Sequence, residues 1–501
     1  MLSTAGSRFQ IPAQVMFHII NGVGFFTGMV YNHSTPDLYV GNAHHSLGWV
    51  VVASTIVWTL LSICVTCGKR RATVRAPEKP SRAQNLEEYG LLNQYEGRLS
   101  RDSGHGTERH SESLLASRQN SSDSSHPQFK ATTDDLSLSE ENDIESKKFT
   151  GHSIGFISRT IGRLRTENTL QGARFAQTLL EKILLLLGFV ALLSGLIVSG
   201  GLFRDREIFS GLAHFIKGGI FFWYGLLTLG RWMGAFTEFG WAWNIRPQPP
   251  LVAKWKWRIP SAEFTESFVI WLYGASNVFL EHLNNWGKDW SAQDLEHVSI
   301  TILFFGGGLL GMLVESDWLR KLINTPIIVQ KCDKEEEYQA SGPLRTDTDE
   351  WSEPQTYRAP MNPMPATVIM LLGMMMGAHH QSSMVSTMMH AQWGGLFTAF
   401  GIARATTYVL MYIKPPTSHF AGRPPSELVA AFCLTSGGII FMNSASDTVA
   451  AIEENGLDAM TIFTLTMGLT GVVMTWQIVV FAVRGWAIRR ERAAAGRPLS
   501  W

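Results

Sequence analysis

Histidine is the residue whose type and spacing first indicate chemistry in this chain. Of fifteen histidines, four lie in one polar stretch, and nine of the others lie near one side of the predicted bundle, at the ends of apolar segments or in the loops between them. These nine are His33, His44, His45, His214, His282, His297, His379, His380 and His390. Imidazole binds zinc, copper, iron and nickel, and it gains and loses a proton near neutral pH. The pattern predicts a metal-ion or proton-handling site at one face of the protein.

Carboxylates stand beside two of these histidines, in the pairs Glu281-His282 and Glu296-His297. Such carboxylates act as metal ligands or as acceptors that orient an imidazole. Tyr273 and Asn277 precede Glu281 at four-residue steps, so these three should form a polar stripe that faces the interior of a helix bundle. The predicted cofactor-binding residues are His44, His45 and His214, and the predicted metal ligands are His282, His297, His379, His380, His390, Glu281 and Glu296.

Methionine adds a second kind of candidate ligand near His380. Met376 and Met384 are four residues before and after this histidine, so the three share a face if one helix continues through the stretch. Thioether sulfur favours Cu(I), but methionine is also a common filler of irregular space between helices. A copper site and ordinary packing therefore both remain open for these methionines.

Ten apolar segments must position these residues, and most are long enough to cross a hydrocarbon core about 30 Å thick. The segments are 11–31, 43–67, 178–200, 208–232, 264–282, 297–315, 364–380, 390–412, 428–445 and 458–484. The sequence therefore predicts an all-α fold, a polytopic transmembrane helical bundle of about ten spans. We expect a two-helix membrane segment (1–68), a polar cytosolic linker (69–177), an eight-helix membrane domain (178–490) and a cytosolic tail (491–501).

The polar stretches between these segments have their own composition. Residues from about 69 to 150 are rich in Ser, Asp, Glu, Arg and Asn and contain few large apolar side chains. Such a segment buries too little surface to offset its conformational entropy, so we predict a long disordered linker after the second span. Residues 316–362 are predicted to form a second, shorter polar loop.

Basic residues lie mostly on one side of the predicted bundle. Loops on the side that holds both termini carry most of the Lys and Arg, including Lys69-Arg70-Arg71, whereas the opposite loops carry only Arg204, Arg206 and Lys288. By the positive-inside rule, both termini are expected in the cytosol, and the nine histidines at the lumenal or extracellular face. The expected location is the plasma membrane or an endomembrane.

Two further features lie inside the apolar segments. Arg404 falls within the eighth segment, where a charge is costly, so it should reach towards the interface or pair with Glu315 or Glu427. The run Gly306-Gly307-Gly308 lies in the sixth segment, where close helix packing explains it better than phosphate binding.

The overall composition excludes several classes of protein. The chain has 42 basic and 42 acidic residues, so nothing indicates a nucleic-acid partner. Four cysteines are too few for a disulfide framework, and no nucleotide-binding loop, hydrolase elbow or zinc-protease motif is present. The expected partners are the lipid bilayer and a small ion as substrate, while protein partners and enzymatic activity stay open.

Five groups of residues in the second part of the chain form recognisable motifs: Gly373–Gln381, His390–Gly394, Arg404–Tyr408, Trp271–Gly274 with Glu281-His282, and Leu295–His297. Together they resemble the YTP-like family of fungal integral membrane proteins. The likeness covers roughly residues 178–490, the C-terminal domain of that family. It implies an integral membrane protein with a loose likeness to membrane electron-transport proteins.

The front of the chain resembles the N-terminal domain that accompanies this family in fungi. The likeness rests on Pro12-Ala13-Gln14 and on the segment His44–Trp49. That domain usually begins with a signal sequence and a further helix, so we expect a shortened form here. The segment His44–Trp49 is also similar to the ascorbate-dependent transmembrane cytochromes b, which hold haem between paired histidines.

Three functions remain open from the sequence. A transport-type protein would bind a metal ion or relay protons at a His/Glu/Met cluster, and it requires the predicted histidine ligands to lie close together. A membrane oxidoreductase would hold a single b-type haem between two facing histidines. A structural or accessory protein would place its histidines against lipid headgroups or water, with no shared cavity.

Overall fold

A computed structural model describes residues 7–35, 39, 42–75, 167–204, 208–281, 290, 292–341, 361–378, 381 and 383–497, with some helix ends, including 278–281 and 334–341, as backbone only. These residues form thirteen α-helices and the 3₁₀ turn Thr237–Phe239, with no strand among them. The helices are α1 Gln10–Ser34, α2 Ala43–Arg75, α3 Glu167–Gly200, α4 Ile208–Trp232, α5 Lys254–Trp257, α6 Ala262–Glu281, α7 Ala292–Glu315, α8 Asp317–Ser341, α9 Met364–Gly377, α10 Met384–Ile413, α11 Pro425–Asn443, α12 Ser446–Glu454 and α13 Ala459–Ala494.

The all-α membrane fold predicted from the sequence is confirmed. Each of the ten predicted segments coincides with a helix, and eight helices (α1, α2, α3, α4, α7, α10, α11 and α13) are long and apolar enough to cross a membrane. The helices in the other two segments, α6 and α9, are not among these eight. Helix α6 carries Glu263 and Glu266 near its start, and α9 has only 14 residues.

One predicted loop is helical in part. Helix α8 occupies Asp317–Ser341 of the polar stretch 316–362, so the prediction of a loop was wrong there. Leu319, Leu322, Ile323 and Ile327 recur at steps of three and four residues, and the last three are exposed, which gives this stretch an apolar helix face that its overall polarity concealed. The predicted linker lies mainly in residues 76–166, outside the described residues.

The chain forms two compact units, one of Met1–Gly41 with Ser194–Trp501 and one of Asn42–Leu193. In the smaller unit, α2 and α3 meet where the Trp58 indole N–H donates to Glu181 Oε1 at 3.3 Å. We call the larger one the main unit. Its helices pack most closely in the pairs α4 with α11, α6 with α7, and α9 with α10, and α10 also packs on α11.

Glycine allows these pairs to approach closely. A Cβ on Gly225 of α4 would lie 2.9 Å from the Ala431 carbonyl oxygen of α11, and one on Gly308 of α7 would lie 2.7 Å from the Ser267 carbonyl oxygen of α6. Small residues at such crossings are the usual means of packing membrane helices. The packing role predicted for the glycine run is confirmed for Gly307 and Gly308, while Gly306 faces open space.

The main unit has two distinct ends. Helix α4 ends where α6 and α11 begin, since Arg231 pairs with Glu263 and Glu266 and the Trp232 indole N–H donates to the Pro424 carbonyl oxygen at 3.1 Å, and we call this the charged end. The starts of α4, α7 and α10 lie at the opposite end, which we call the histidine end because His214, His297 and His390 lie within about two turns of those starts.

Candidate functional site

Five ionisable side chains from four helices meet at the charged end, and we call them the charge network. They are Arg231 of α4, Glu263 and Glu266 of α6, Arg404 of α10 and Glu427 of α11. Their side chains are 0–8% exposed. Charged groups inside a membrane bundle are costly and indicate function more often than stability.

Glu266 is the hub of the network. Its two carboxylate oxygens accept from Arg231 Nη1 at 2.6 Å and from Arg404 Nη1 at 3.2 Å. Arg231 Nη2 also donates to Glu263 Oε1 at 3.0 Å. Arg404 Nε lies 2.7 Å from Glu427 Oε1, in an ion pair too poorly aligned to be a hydrogen bond. Glu266 therefore ties α6 to both α4 and α10.

The loop between α4 and α6 covers the network. Trp243 has a φ of 51°, and this left-handed conformation turns its ring back against the arginines, 4.3 Å from Arg231 and 5.7 Å from Arg404. Asn244 Nδ2 fixes the loop by donating to the carbonyl oxygens of Thr237 and His419. Aromatic faces attract guanidinium groups, so the loop holds the arginines while excluding water.

The network contains more carboxylates than cations. Two guanidinium groups face three carboxylates, which leaves one negative charge in excess when all five are ionised. An uncompensated charge at such burial is unfavourable by several kcal/mol. A bound proton or cation would neutralise it, so the composition of the network suits reversible protonation.

A cavity of about 320 Å³ extends from the charge network towards the histidine end. Side chains of α4, α6, α7, α9, α10 and α11 line it, and its walls are mainly apolar, with Phe221, Ile270 and Phe304 among them. Glu266 and Tyr224 border the cavity near the charged end, and Asn277 and His297 near the other. This volume lies in the range of about 300–1,000 Å³ that is usual for small-molecule sites.

Two buried hydrogen-bond donors line this cavity. The Tyr224 hydroxyl lies next to Glu266 without a well-formed hydrogen bond to any described residue. The Trp393 indole N–H is fully buried and likewise has no hydrogen-bond partner in the described part of the chain. Buried polar groups are nearly always satisfied in native proteins. The Glu266 carboxylate is an acceptor beside Tyr224, so the Trp393 N–H is the donor that indicates a ligand in the cavity.

Two of the three residues predicted to form a polar stripe on α6 face the cavity. Tyr273 and Asn277 both line the cavity, and Asn277 Nδ2 donates to the Thr301 hydroxyl of α7 at 3.1 Å. Glu266 extends the same face towards the charged end, since residues three and four apart on a helix share a face. The side chain of Glu281, the third predicted member, is outside the described residues.

Two of the predicted histidines lie together at the histidine end. The ring centroids of His214 and His390 are 6.5 Å apart, although the sequence assigned them to different roles. His390 is buried, and its Nδ1 lies 2.8 Å from the Ser386 carbonyl oxygen. An N–H must donate to that carbonyl, so Nε2 carries the lone pair.

Two aromatic rings, Trp393 and Phe441, complete a group of four contacting rings with this pair. Phe441 contacts His214 at 5.6 Å and stacks on Trp393 at 4.4 Å, and Trp393 contacts His390 at 5.6 Å. A haem held between the two imidazoles would have to displace this packing. The geometry therefore fits a single bridging atom better than a porphyrin.

The structure describes only some of the other predicted site residues. Glu296 is exposed beside half-buried His297, and His44 and His45 lie at the start of α2 in the smaller unit. His282, His379 and His380 are outside the described residues, and Met384 is 74% exposed. Within the described ranges no three His, Cys, Asp or Glu side chains are placed to share a metal ion. The predicted His/Glu/Met cluster is thus not seen there.

The sequence reasoning missed three members of the charge network. It proposed Glu427 as a partner of Arg404, which the structure confirms, whereas the alternative partner Glu315 accepts from the Ser261 hydroxyl at 3.1 Å. Arg231, Glu263 and Glu266 were not singled out. The sequence does contain a pattern that could have indicated them. Glu263 and Glu266 are three residues apart at the start of an apolar segment, and Arg231 lies at the end of the apolar segment before it.

Comparisons with known proteins agree with the fold. The family described as "Protein YTP1-like, C-terminal" matches residues 187–485, and the "Domain of unknown function (DUF2427)" matches residues 1–67. The "Uncharacterized membrane protein C3B8.06" of Schizosaccharomyces pombe is 34% identical over 499 residues, which covers 98% of this chain and 91% of that protein.

Two proteins of Saccharomyces cerevisiae are similar over shorter stretches. The "Uncharacterized membrane protein YCR061W" is 34% identical over 61% of this chain and 47% of its own length. "Protein YTP1" is 20% identical over 44% of this chain and 38% of its own length. No solved structure matches the chain. The chain belongs to the YTP1-like family of fungal membrane proteins.

Proposed function

We propose that this protein is a transport-type membrane protein that handles protons together with a small, mainly apolar cargo. The observation that carries the proposal is the 320 Å³ cavity, which reaches Glu266, the hub of a buried network with one carboxylate in excess. A purely structural bundle has no need of either feature, since apolar side chains pack membrane helices at lower cost.

Protonation of Glu266 would couple the two features. The ionised carboxylate holds Arg231 of α4 and Arg404 of α10 at once, and a neutral carboxyl binds guanidinium groups more weakly. Proton uptake would therefore loosen α6 from α4 and α10, three of the helices that line the cavity. A ligand shifts a conformational equilibrium by its differential affinity, so a proton at this hub can change access to the cavity.

The positive-inside rule supplies a direction for the proposed transport. With both termini in the cytosol, the charged end faces the cytosol and the histidine end faces the lumen or the exterior. Protons and cargo would then exchange with the cytosol near Glu266 and with the opposite compartment near His297.

Proton flux into liposomes tests the proposal. Purified protein is reconstituted with a pH-sensitive dye inside the vesicles, and the internal acidification is followed after an outside-acid pH jump. The wild type should acidify the vesicles faster than Glu266→Gln, and Glu453→Gln, at an exposed position on α12, should match the wild type. Equal rates for wild type, Glu266→Gln and protein-free vesicles would contradict proton transport and favour a structural or accessory role.

Metal-ion handling is the second candidate function, and the His214–His390 pair favours it. With metal–nitrogen bonds of ~2.0 Å, the ring centres of two imidazoles on one metal stand about 5 Å apart in a tetrahedral site and about 6 Å apart in a linear one, so the 6.5 Å found here would shorten on metal binding. The Ser386 carbonyl orients His390 as outer-shell acceptors orient metal-bound histidines. The other predicted ligands, His282, His297, His379, His380, Glu281 and Glu296, belong to the same proposal.

Metal analysis with an absorption spectrum separates this candidate from the first. Copper, zinc or iron bound in stoichiometric amount by the wild type and by His419→Ala, but lost in His214→Ala and His390→Ala, would establish the site. A colourless protein that retains no metal after supplementation and dialysis would exclude it and leave the proton-coupled proposal standing.

A further inference from the structure

We infer that the charged end of the main unit binds anionic phospholipids through two loops that are joined by hydrogen bonds. They are the loop 237–260 between α4 and α6 and the loop 414–424 between α10 and α11, and we call them the loop platform. None of the residues that line the cavity belongs to either loop. Lipid binding here is therefore independent of the proposed function.

The loop platform lies at a membrane boundary. Helices α4, α10 and α11 are each long and apolar enough to span a membrane, and the platform joins their ends at the charged end. At the end of α4, the Trp232 indole N–H donates to the carbonyl oxygen of Pro424, the last residue of the platform. Headgroups flank the hydrocarbon core on both sides, so the ends of these spans hold both loops beside the headgroups.

Backbone hydrogen bonds hold the two loops together. The Ile245 N–H donates to the Ser418 carbonyl oxygen at 2.9 Å, and the Gly422 N–H donates to the Ala242 carbonyl oxygen at 3.0 Å. A surface that is already ordered loses less conformational entropy when it binds a ligand. The side chains of the platform therefore start from a fixed backbone.

The exposed charge of the loop platform is positive. Four of its cations are exposed and pair with no carboxylate in the described part of the chain. They are Lys254, Arg258, Lys414 and Arg423. The one acidic residue in the two loops is Glu238, which pairs with Lys256 at 2.5 Å. Guanidinium and ammonium groups bind phosphate oxygens through charge-assisted hydrogen bonds, so these four cations suit anionic headgroups.

Large apolar side chains are exposed in the same two loops. Leu251, Trp255, Trp257 and Phe420 are between 46% and 85% exposed. Trp255 directly follows one of the four cations in sequence, and Trp257 directly precedes another. Tryptophan beside lysine or arginine is typical of the membrane–water interface, where the ring meets the acyl chains and the charge meets the headgroups. The composition of the platform thus matches a lipid surface.

An acidic protein is the opposing possibility, since it would be attracted by the same four cations. It would have to cover the apolar side chains of the platform, whereas a bilayer already surrounds the spans that end there. In the predicted orientation this end faces the cytosolic leaflet, which carries anionic lipids and attracts basic segments. The position of the platform therefore favours a lipid as its ligand.

Native mass spectrometry of the full-length protein in detergent tests the inference, with phosphatidylserine and phosphatidylcholine of the same acyl chains as the probes. The wild type should bind phosphatidylserine more tightly. Lys254→Gln/Arg258→Gln should bind phosphatidylserine on the order of tenfold more weakly, because each cation near an anionic surface contributes several-fold to the affinity. Its binding of phosphatidylcholine should be unchanged.

A matched control removes two exposed cations from the end of α13. The Gln477 amide of α13 donates to the Leu226 carbonyl oxygen of α4 at 2.8 Å, so Arg492 and Arg497 lie well beyond the level at which α4 ends. Arg492→Gln/Arg497→Gln carries the same change in net charge as the platform variant. It should nevertheless bind phosphatidylserine like the wild type.

Three results would overturn the inference. The first is equal affinity of the wild type for the two lipids. The second is unchanged phosphatidylserine binding in Lys254→Gln/Arg258→Gln, with a melting temperature that shows the variant to be folded. The third is an acidic protein that copurifies with the wild type and prevents phosphatidylserine binding, but is absent from the platform variant. Proton flux is measured separately, so failure of lipid binding leaves the proposed function standing.

Discussion

Replacing Arg404 by methionine should destabilise the protein more than any exposed substitution. Arg404 is fully buried between Glu266 and Glu427, at 3.2 Å and 2.7 Å. At an effective dielectric constant near 20, the two attractions amount to about 5 and 6 kcal/mol, and much of this is offset by the dehydration of the guanidinium group. Breaking such a buried pair by removing one partner has a net cost of about 3–5 kcal/mol.

A second substitution then neutralises Glu427, the carboxylate that Arg404→Met leaves without its cationic partner. Arg404→Met raises the excess of the network from one negative charge to two, and the double variant Arg404→Met/Glu427→Gln returns it to one. The double variant should therefore be more stable than Arg404→Met alone, although it carries one more substitution. Non-additivity of this sign between contacting residues is the signature of a direct interaction.

Thermal unfolding in detergent, followed by circular dichroism, measures both effects. A loss of 3–5 kcal/mol corresponds to a melting temperature lower by on the order of 10 °C. Arg258→Met, on an exposed loop, serves as the matched control and should melt like the wild type. A double variant no more stable than Arg404→Met, or an Arg404→Met protein that melts like the control, would refute the network as the source of the effect.

Three further predictions concern helix packing, a helix cap and the membrane orientation. Gly225→Leu should lower the melting temperature because its Cβ would meet a carbonyl oxygen of α11 at 2.9 Å, whereas Gly306→Ala, with nothing within 4 Å, should not. Hydrogen bonds from the hydroxyl and backbone N–H of Thr461 hold the pKa of Asp458 below its ordinary value; the melting temperature of Asp458→Ala should therefore lie below that of the wild type at neutral pH. The difference in melting temperature should begin to shrink as the pH falls below the ordinary Asp pKa of ~3.9, and it should vanish below the lowered pKa of folded Asp458. A difference that stays constant with pH would contradict stabilisation of α13 by the ionised Asp458 side chain. Asn120-Ser121-Ser122 is a glycosylation sequon in the predicted cytosolic linker, so the proposed orientation predicts that mass spectrometry finds no glycan on Asn120; a glycan there would mean that the orientation is the reverse.

The positions of the membrane helices could be predicted because each depends on its own segment. An apolar run of sufficient length becomes a helix in lipid whatever its neighbours do, and this holds for α4, α7 and α10 in their predicted places. Helix α8 was not predicted because its apolar residues are separated by polar ones, so the stretch as a whole is mainly polar.

The site was harder to predict because it depends on the direction in which each side chain points. Sequence position gives the depth of His214, His297 and His390, and two of them do meet. Consecutive residues point about 100° apart on a helix, so Glu296 is exposed while its neighbour His297 lines the cavity. Adjacency in sequence therefore did not show that a carboxylate and a histidine could bind the same metal ion.

The charge network depends on contacts between helices that are distant in sequence. Arg231 and Glu263 each stand at the end of an apolar segment, where a charge normally reaches towards the headgroups. In the structure Arg231 and Glu263 instead pair with each other, while α4 packs on α11 and α11 packs on α10. That packing depends on glycines such as Gly225, whose partners a single sequence does not identify.

Infrared difference spectroscopy tests most directly whether the charge network takes up a proton. Spectra of the reconstituted protein are compared between mildly alkaline and mildly acidic pH, and the C=O stretch of a protonated carboxylic acid is followed in the wild type, Glu266→Gln and Glu453→Gln. A band that appears on acidification, persists in Glu453→Gln and disappears in Glu266→Gln is the predicted result. A spectrum in which Glu266→Gln retains every carboxylic-acid band of the wild type would contradict proton handling at this site.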